Sequence, residues 1–131
     1  MKINKDLIKA LHDLKTDATD ATYLYELILQ SQLYSIVRMG TENDIKKAEF
    51  LNYPSIDGVL ELPLFTRLEL ALNFAKKFSS DDNIIFSYSC IPMWKQLYDL
   101  IKDSKCQVAI DPGENYGIRL NASMILGMLG D

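Results

Sequence analysis

Few side chains in this sequence could carry out chemistry near neutral pH. It has one histidine, His12, and two cysteines, Cys90 and Cys106. His12 sits among Leu11, Asp13 and Leu14 at the margin of an amphipathic stripe, which reads as a surface or boundary position and not as a general base. Cys90 stands between the strand-like run Ile84-Ile85-Phe86-Ser87-Tyr88 and a helix start near Pro92, where free amides and the helix dipole favour a thiolate. That makes it the candidate reactive thiol. Its neighbours argue the other way: Cys90-Ile91-Pro92-Met93 lacks the second Cys of a redox pair, and Cys90 to Gln96 lacks the Arg of a Cys-x5-Arg phosphate loop. The plainer reading of Cys90 is a small buried apolar residue. Cys106, alternating with Gln107 in a strand pattern, reads as core. Two cysteines are too few for a disulfide scaffold, or for a zinc site without several His partners, so reduced thiols, no metal and no cofactor are expected.

The segment Asp111-Pro112-Gly113-Glu114-Asn115-Tyr116-Gly117 gathers acids, an amide, an aromatic and two glycines in a loop, where binding residues tend to sit. Asp111, Pro112, Gly113, Glu114 and Tyr116 form a candidate binding loop. It lacks the alternating acids of a calcium loop and the Gly-Lys-Ser/Thr of a phosphate loop. The competing reading is a turn, because Pro presets one backbone angle, Gly permits a positive φ and Asp accepts local hydrogen bonds. A second candidate is aromatic. Seven tyrosines in 131 residues place some at the surface, and Tyr23, Tyr25, Tyr34 and Tyr53 are the interface candidates. Here the plainer reading is that they border the core with their hydroxyls in water.

These residues must be held by regular elements. Leu7, Ala10, Leu11 and Leu14 recur at helical spacing over 4–15, and Leu24, Leu27 and Ile28, with Tyr23 beside them, form the stripe of a second helix that starts near Thr19-Asp20. Leu33 to Val37 reads as a strand that closes at Gly40, and 41–56 as a charged connection. After the Asp57-Gly58 turn, Val59 to Phe65 reads as a strand with Leu60, Leu62 and Leu64 on its core face. Thr66 followed by Glu69 is a capping box opening a helix with Leu68, Ala71, Leu72, Ala75 and Phe78 as its apolar stripe. The 84–88 strand follows, then a helix from about Pro92 carrying Trp94, Leu97, Tyr98 and Ile101 against a sheet. Cys106, Val108 and Ile110 alternate as a strand, Ile118 and Leu120 make a short one, and Asn121 caps a last helix. The fold class expected is α/β (α+β), a single small mixed sheet with helices packed against it, in one domain over 1–131.

Composition excludes other classes. The formal charge is −4, with 48% hydrophobic and 24% charged residues, an ordinary globular balance. Lys46-Lys47 and Lys76-Lys77 are the only basic doublets, too little to neutralise a phosphate backbone, so no nucleic-acid partner is expected. No apolar run is long enough for a membrane span, and the amino terminus runs straight into an amphipathic pattern instead of a signal core, which points to the cytosol.

The order of motifs resembles the amino-terminal domain of the SseB family, named for enhanced serine sensitivity. The likeness spans roughly residues 20–129 and rests on Leu-Pro-Leu-Phe-Thr at 62–66 leading into a helix, and on an apolar strand running into Asp111-Pro112-Gly113, with Gly117 shortly after and a short Ile-Arg-Leu strand. Members commonly carry Asn in place of Asp111 and a small residue in place of Arg67, and longer members have a second domain whose roles do not transfer. The resemblance implies an α/β fold and relatives that look like accessory or interaction proteins of bacteria, some in conflict systems. The resulting expectation is a non-enzymatic domain that binds a protein partner, one with a basic surface suiting the acidic net charge, in an immunity-type or accessory role. The alternative is a small ligand binder or thiol enzyme using Cys90 or the Asp111–Gly117 loop. Self-association through an exposed strand such as 33–38, giving a homodimer, is a third reading.

Overall fold

A computed structural model describes residues 2–16, 21–38, 49–55, 57–78, 83–88 and 91–130. Helices α1 (Lys2–Thr16) and α2 (Ala21–Gln30) precede strand β1 (Leu33–Arg38), the short β2 (Tyr53–Pro54) and β3 (Leu60–Phe65). Helix α3 (Leu68–Phe78), strand β4 (Asn83–Tyr88), helix α4 (Ile91–Ile101), strands β5 (Gln107–Ile110) and β6 (Ile118–Leu120), and helix α5 (Ala122–Met128) complete the chain. The mixed sheet runs in the order β4-β1-β3-β5-β6, with β2 paired to β3. Among the described residues only β3 and β5 pair in parallel, with Leu62 opposite Val108 and Leu64 opposite Ile110; the other strand pairs are antiparallel. The fold class read from the sequence is the observed one.

Strand alternation divides the side chains between two faces. Leu33 and Val37 of β1, Leu62 and Leu64 of β3, Val108 and Ile110 of β5 and Leu120 of β6 face one way and join Leu7, Leu11, Leu24, Ile28, Trp94, Leu97, Ile101 and Ile125 in the main core. That face is covered by α1, α2, α4 and α5. On the opposite face Ile36 and Phe65 form a smaller cluster with Ala71 of α3, against which Tyr34 from the sheet and Leu70 and Phe74 from α3 pack. Helix α3 lies over β1, β3 and β4, so β5 and β6 have no helix packed closely over this face among the described residues.

Three expectations change. Leu60 is 44% exposed, whereas every residue from Glu61 to Phe65 is buried, so burial in β3 begins only after its first residue. Helix α3 is rotated from the expected stripe: Ala71 is fully buried and Phe74 packs its ring 5.3 Å from Phe65, while Leu68 and Leu72 are each 46% exposed. The aromatic ring offers more apolar area than either leucine, and it wins the sheet-facing position. Strand β1 pairs with β4 on one side and β3 on the other, so 33–38 is an inner strand and not an exposed edge for self-association.

Pro63 fits this central strand because β3 changes neighbours beside it. Its last β1 partner is at Leu64 and its first β2 partner at Glu61. The chain at 50–54 fills the gap, with Leu51 donating its amide to the Ile36 carbonyl at 2.8 Å before β2 joins β3. A residue without an N–H is tolerated where the ladder is interrupted.

Candidate functional site

The two motifs at 62–66 and 111–113, 45 residues apart, touch. The Thr66 amide donates to Asp111 Oδ1 at 2.8 Å and the Thr66 hydroxyl to Asp111 Oδ2 at 2.6 Å, with both residues buried. In a capping box the Thr66 amide would go to the Glu69 carboxylate. Here it is held by a carboxylate from across the sheet, and Glu69 instead meets Arg67 at 2.8 Å. Asp111 thereby brings negative charge to the start of α3, where the helix dipole favours it.

Asp111 reaches that position from a positive φ of 50°, a conformation that Asn and Asp adopt more readily than other non-glycine residues. Its amide donates to the Leu64 carbonyl at 2.9 Å, extending the β3-β5 pairing into the turn. Two turns then follow: Glu114 N–H to Asp111 O at 3.1 Å, and Gly117 N–H to Glu114 O at 3.0 Å. In the first, Pro112 holds the second position and Gly113, at φ 91°, the third, the pattern of a type II turn. Gly117 is required for another reason: a Cβ there would lie 2.5 Å from the Asp111 carbonyl oxygen. The turn reading of 111–117 therefore accounts for its Asp, Pro and two glycines.

Tyr116 is a core residue and not a presented aromatic. It is 5% exposed, and its ring lies 4.3 Å from that of His12, which is itself exposed on α1 as the sequence suggested. The Tyr116 hydroxyl is buried without a hydrogen bond among the described residues. Burial, reinforced by the Asp111 carboxylate, pushes this phenol up to about 12 against the opposing pull of Arg67. Arg67 also reaches Glu114 at 3.7 Å, which ties the outer rim of the turn to the start of α3.

The same turn forms one wall of a groove of about 610 Å³ on the uncovered half of the sheet. Pro112, Gly113, Glu114 and Gly117 line it on one side, Tyr53, Pro54 and Ser55 on the other, and Glu61, Ala109 and Arg119 along the floor. Its size is ordinary for a small-ligand or peptide cleft. Register explains the floor, since Glu61 stands opposite Gln107, and Ala109 opposite Arg119. Glu61 is 2% exposed and accepts hydrogen bonds from the Tyr53 hydroxyl (2.9 Å), Gln107 Nε2 (3.1 Å) and Arg119 Nε. Burial, and then the bond to Glu61, push the Tyr53 phenol well above its usual range. Sequence reasoning did not single out Glu61, Gln107 or Arg119. The available signal was a lone charge in each of two apolar strand runs, Leu60-Glu61-Leu62 and Ile118-Arg119-Leu120.

The four candidate interface tyrosines do not share a surface. Tyr23 and Tyr25 are on α2, the former 50% exposed and the latter packed against the main core. Tyr34 is partly buried under α3, and Tyr53 contacts Phe74 of that helix, with ring centroids 5.1 Å apart, while its hydroxyl enters the groove network. Cys90 lies outside the described residues. Cys106, expected in the core, is partly exposed at its border, and burial raises its thiol above the usual range. Among the described residues, no three His, Cys, Asp or Glu side chains come together as a metal site and no helix is long and apolar enough to cross a membrane. No family model, curated protein or solved structure matches the chain.

Proposed function

We propose that this chain is a non-enzymatic, SseB-like interaction domain of the cytosol that binds a protein partner on the side of its sheet that α3 only half covers. The observation that carries this reading is the groove beside α3, with its fixed polar floor of Glu61, Tyr53, Gln107 and Arg119. On the same side of the sheet, Leu68 and Leu72 leave an apolar strip on the helix. Polar groups held rigidly beside exposed apolar side chains suit a protein interface, where anchors need a fixed register. The net charge of −4 supports a partner of opposite overall sign, mainly through the rate of encounter. An immunity-type role, neutralising a toxin, is the specific form that the resemblance at 62–66 and 111–117 suggests.

The test is affinity capture from native lysate with wild type, L72K and a control substitution on α2, Y23K. A specific partner lost in L72K and kept in Y23K supports the reading. Equal capture by both variants, or turnover of a substrate by the purified protein without a partner, refutes it. A small-ligand function is favoured by one observation, the participation of the 112–117 turn in the groove wall. It would appear as a ligand retained through purification that protects the Gly113 amide from exchange.

A further inference from the structure

The uncovered half-sheet holds a carboxylate that stability alone does not explain. Withdrawing a carboxylate from water is costly even after relaxation, and a well-packed apolar group in its place is often as stabilising or more so. Glu61 is nevertheless buried, and Tyr53 and Gln107 meet it from β2 and β5. The third donor, Arg119, differs from these two. Its side chain is 58% exposed and is engaged through Nε alone among the described residues, so the two terminal amino groups of the guanidinium are left for another acceptor at the groove. A planar guanidinium pinned at one edge presents the other in a set direction, the geometry that receives a carboxylate through two parallel hydrogen bonds.

The charges around Arg119 narrow the choice. Glu61 and Arg119 offset each other's charge, Tyr53 and Gln107 being neutral donors, while Asp57 is close enough to act on Arg119, and Glu114 stands in the groove wall with Arg67 3.7 Å from it. Each added negative charge on a ligand would meet Asp57 and Glu114, so a singly charged group is admitted more readily than a phosphate dianion. Resting on the reading of this groove as the partner-binding surface, we propose that Arg119 receives a carboxylate side chain of the protein partner, with Glu61 as the positioning residue that fixes the guanidinium plane.

The experiment is a titration of the full chain, labelled with ¹⁵N, with sodium acetate, acetamide and inorganic phosphate, following the Arg119 Nε–Hε and Gly113 amide signals. Acetate should saturate both, weakly, as a single bidentate pair at an exposed guanidinium does. Acetamide should not, and phosphate should bind more weakly than acetate. R119Q should abolish saturation. R119K, which keeps the charge without the fork, should weaken it about tenfold. E61Q should weaken acetate about threefold or more and broaden the Arg119 Nε–Hε signal, a loss of orientation that a purely structural Glu61 would not produce. Thermal melts of each variant confirm that it is folded before titration.

No saturable shift in wild type, an equal shift in R119Q, or phosphate binding tighter than acetate each overturns the assignment. A captured partner that binds R119Q as tightly as wild type overturns it too, and leaves the partner-binding reading in place. Acetate saturation at Arg119 with no protein captured overturns the partner as the source of the carboxylate.

Discussion

Replacing Asp111 should reveal how much of the fold hangs on one side chain. In Asp111→Ala the Thr66 amide and hydroxyl both lose a buried carboxylate acceptor at 2.8 and 2.6 Å. Hydrogen bonds to a charged group contribute about 1.5–3 kcal/mol each, and alanine at a positive φ adds about 1–2 kcal/mol of strain that aspartate partly relieves by bonding locally. Against this stands the carboxylate's own desolvation, which alanine escapes. The expected loss is about 3–5 kcal/mol, a large share of the roughly 5–15 kcal/mol typical of a domain. Asp111→Asn keeps an acceptor for the Thr66 amide and offers a donor to its hydroxyl, so it should cost only about 1 kcal/mol. Asp111→Gly loses the same bonds as alanine but none of the strain, and should fall about 1 kcal/mol short of the alanine loss. Urea unfolding followed by circular dichroism measures the series, and an unchanged m-value shows that the midpoint shift reports stability. A cycle with Thr66→Val then isolates the hydroxyl contribution. An alanine variant within about 1 kcal/mol of wild type, or an asparagine variant as damaged as the alanine, would refute the reasoning.

Other consequences follow from the same structure. Gly117→Ala should cost about 1–3 kcal/mol or more, because its Cβ would meet the Asp111 carbonyl oxygen at 2.5 Å and backbone has little room to yield; a melting-temperature loss of several degrees checks it. The folded state keeps protons on Tyr53 and Tyr116 that the unfolded chain releases near pH 10, so their stabilisation is full below about 10 and falls as pH rises towards 12. Unfolding midpoints for wild type and Y53F across pH 9 to 11.5 should converge as that contribution is lost. Cys106 should alkylate more slowly at pH 7.5 than a free thiol, because burial raises its proton affinity; peptide-resolved mass spectrometry after iodoacetamide distinguishes it from Cys90.

The sequence carried the elements better than their orientation. Asn121 was legible as a cap because the needed bond is local, and its Oδ1 accepts the Met124 amide at 2.9 Å. The Trp94, Leu97 and Ile101 stripe was legible because only one face of α4 is apolar enough to bury. Helix α3 was ambiguous. Leu68 and Leu72 compete with Leu70 and Phe74 for the sheet, and the choice was made by Phe65 and Tyr53, which periodicity within the helix cannot see. Thr66 and Asp111 each read locally, as a cap and as a turn, yet they bond to each other across β3 and β5. Glu61 and Arg119 could not be joined from sequence, because their meeting depends on the order β3-β5-β6 and on the register within it.

The Thr66–Asp111 tie also has a bearing on kinetics. It closes an excursion of 45 residues that leaves β3, crosses to the far edge of the sheet as β4 and returns to lie parallel as β5. Loop-closure entropy makes such distant pairing one of the later events on a folding route. A contact made after the barrier leaves the folding rate alone and appears in the unfolding rate. The clamp is therefore a latch on the lifetime of the native state, and its loss should shorten that lifetime well before it slows folding.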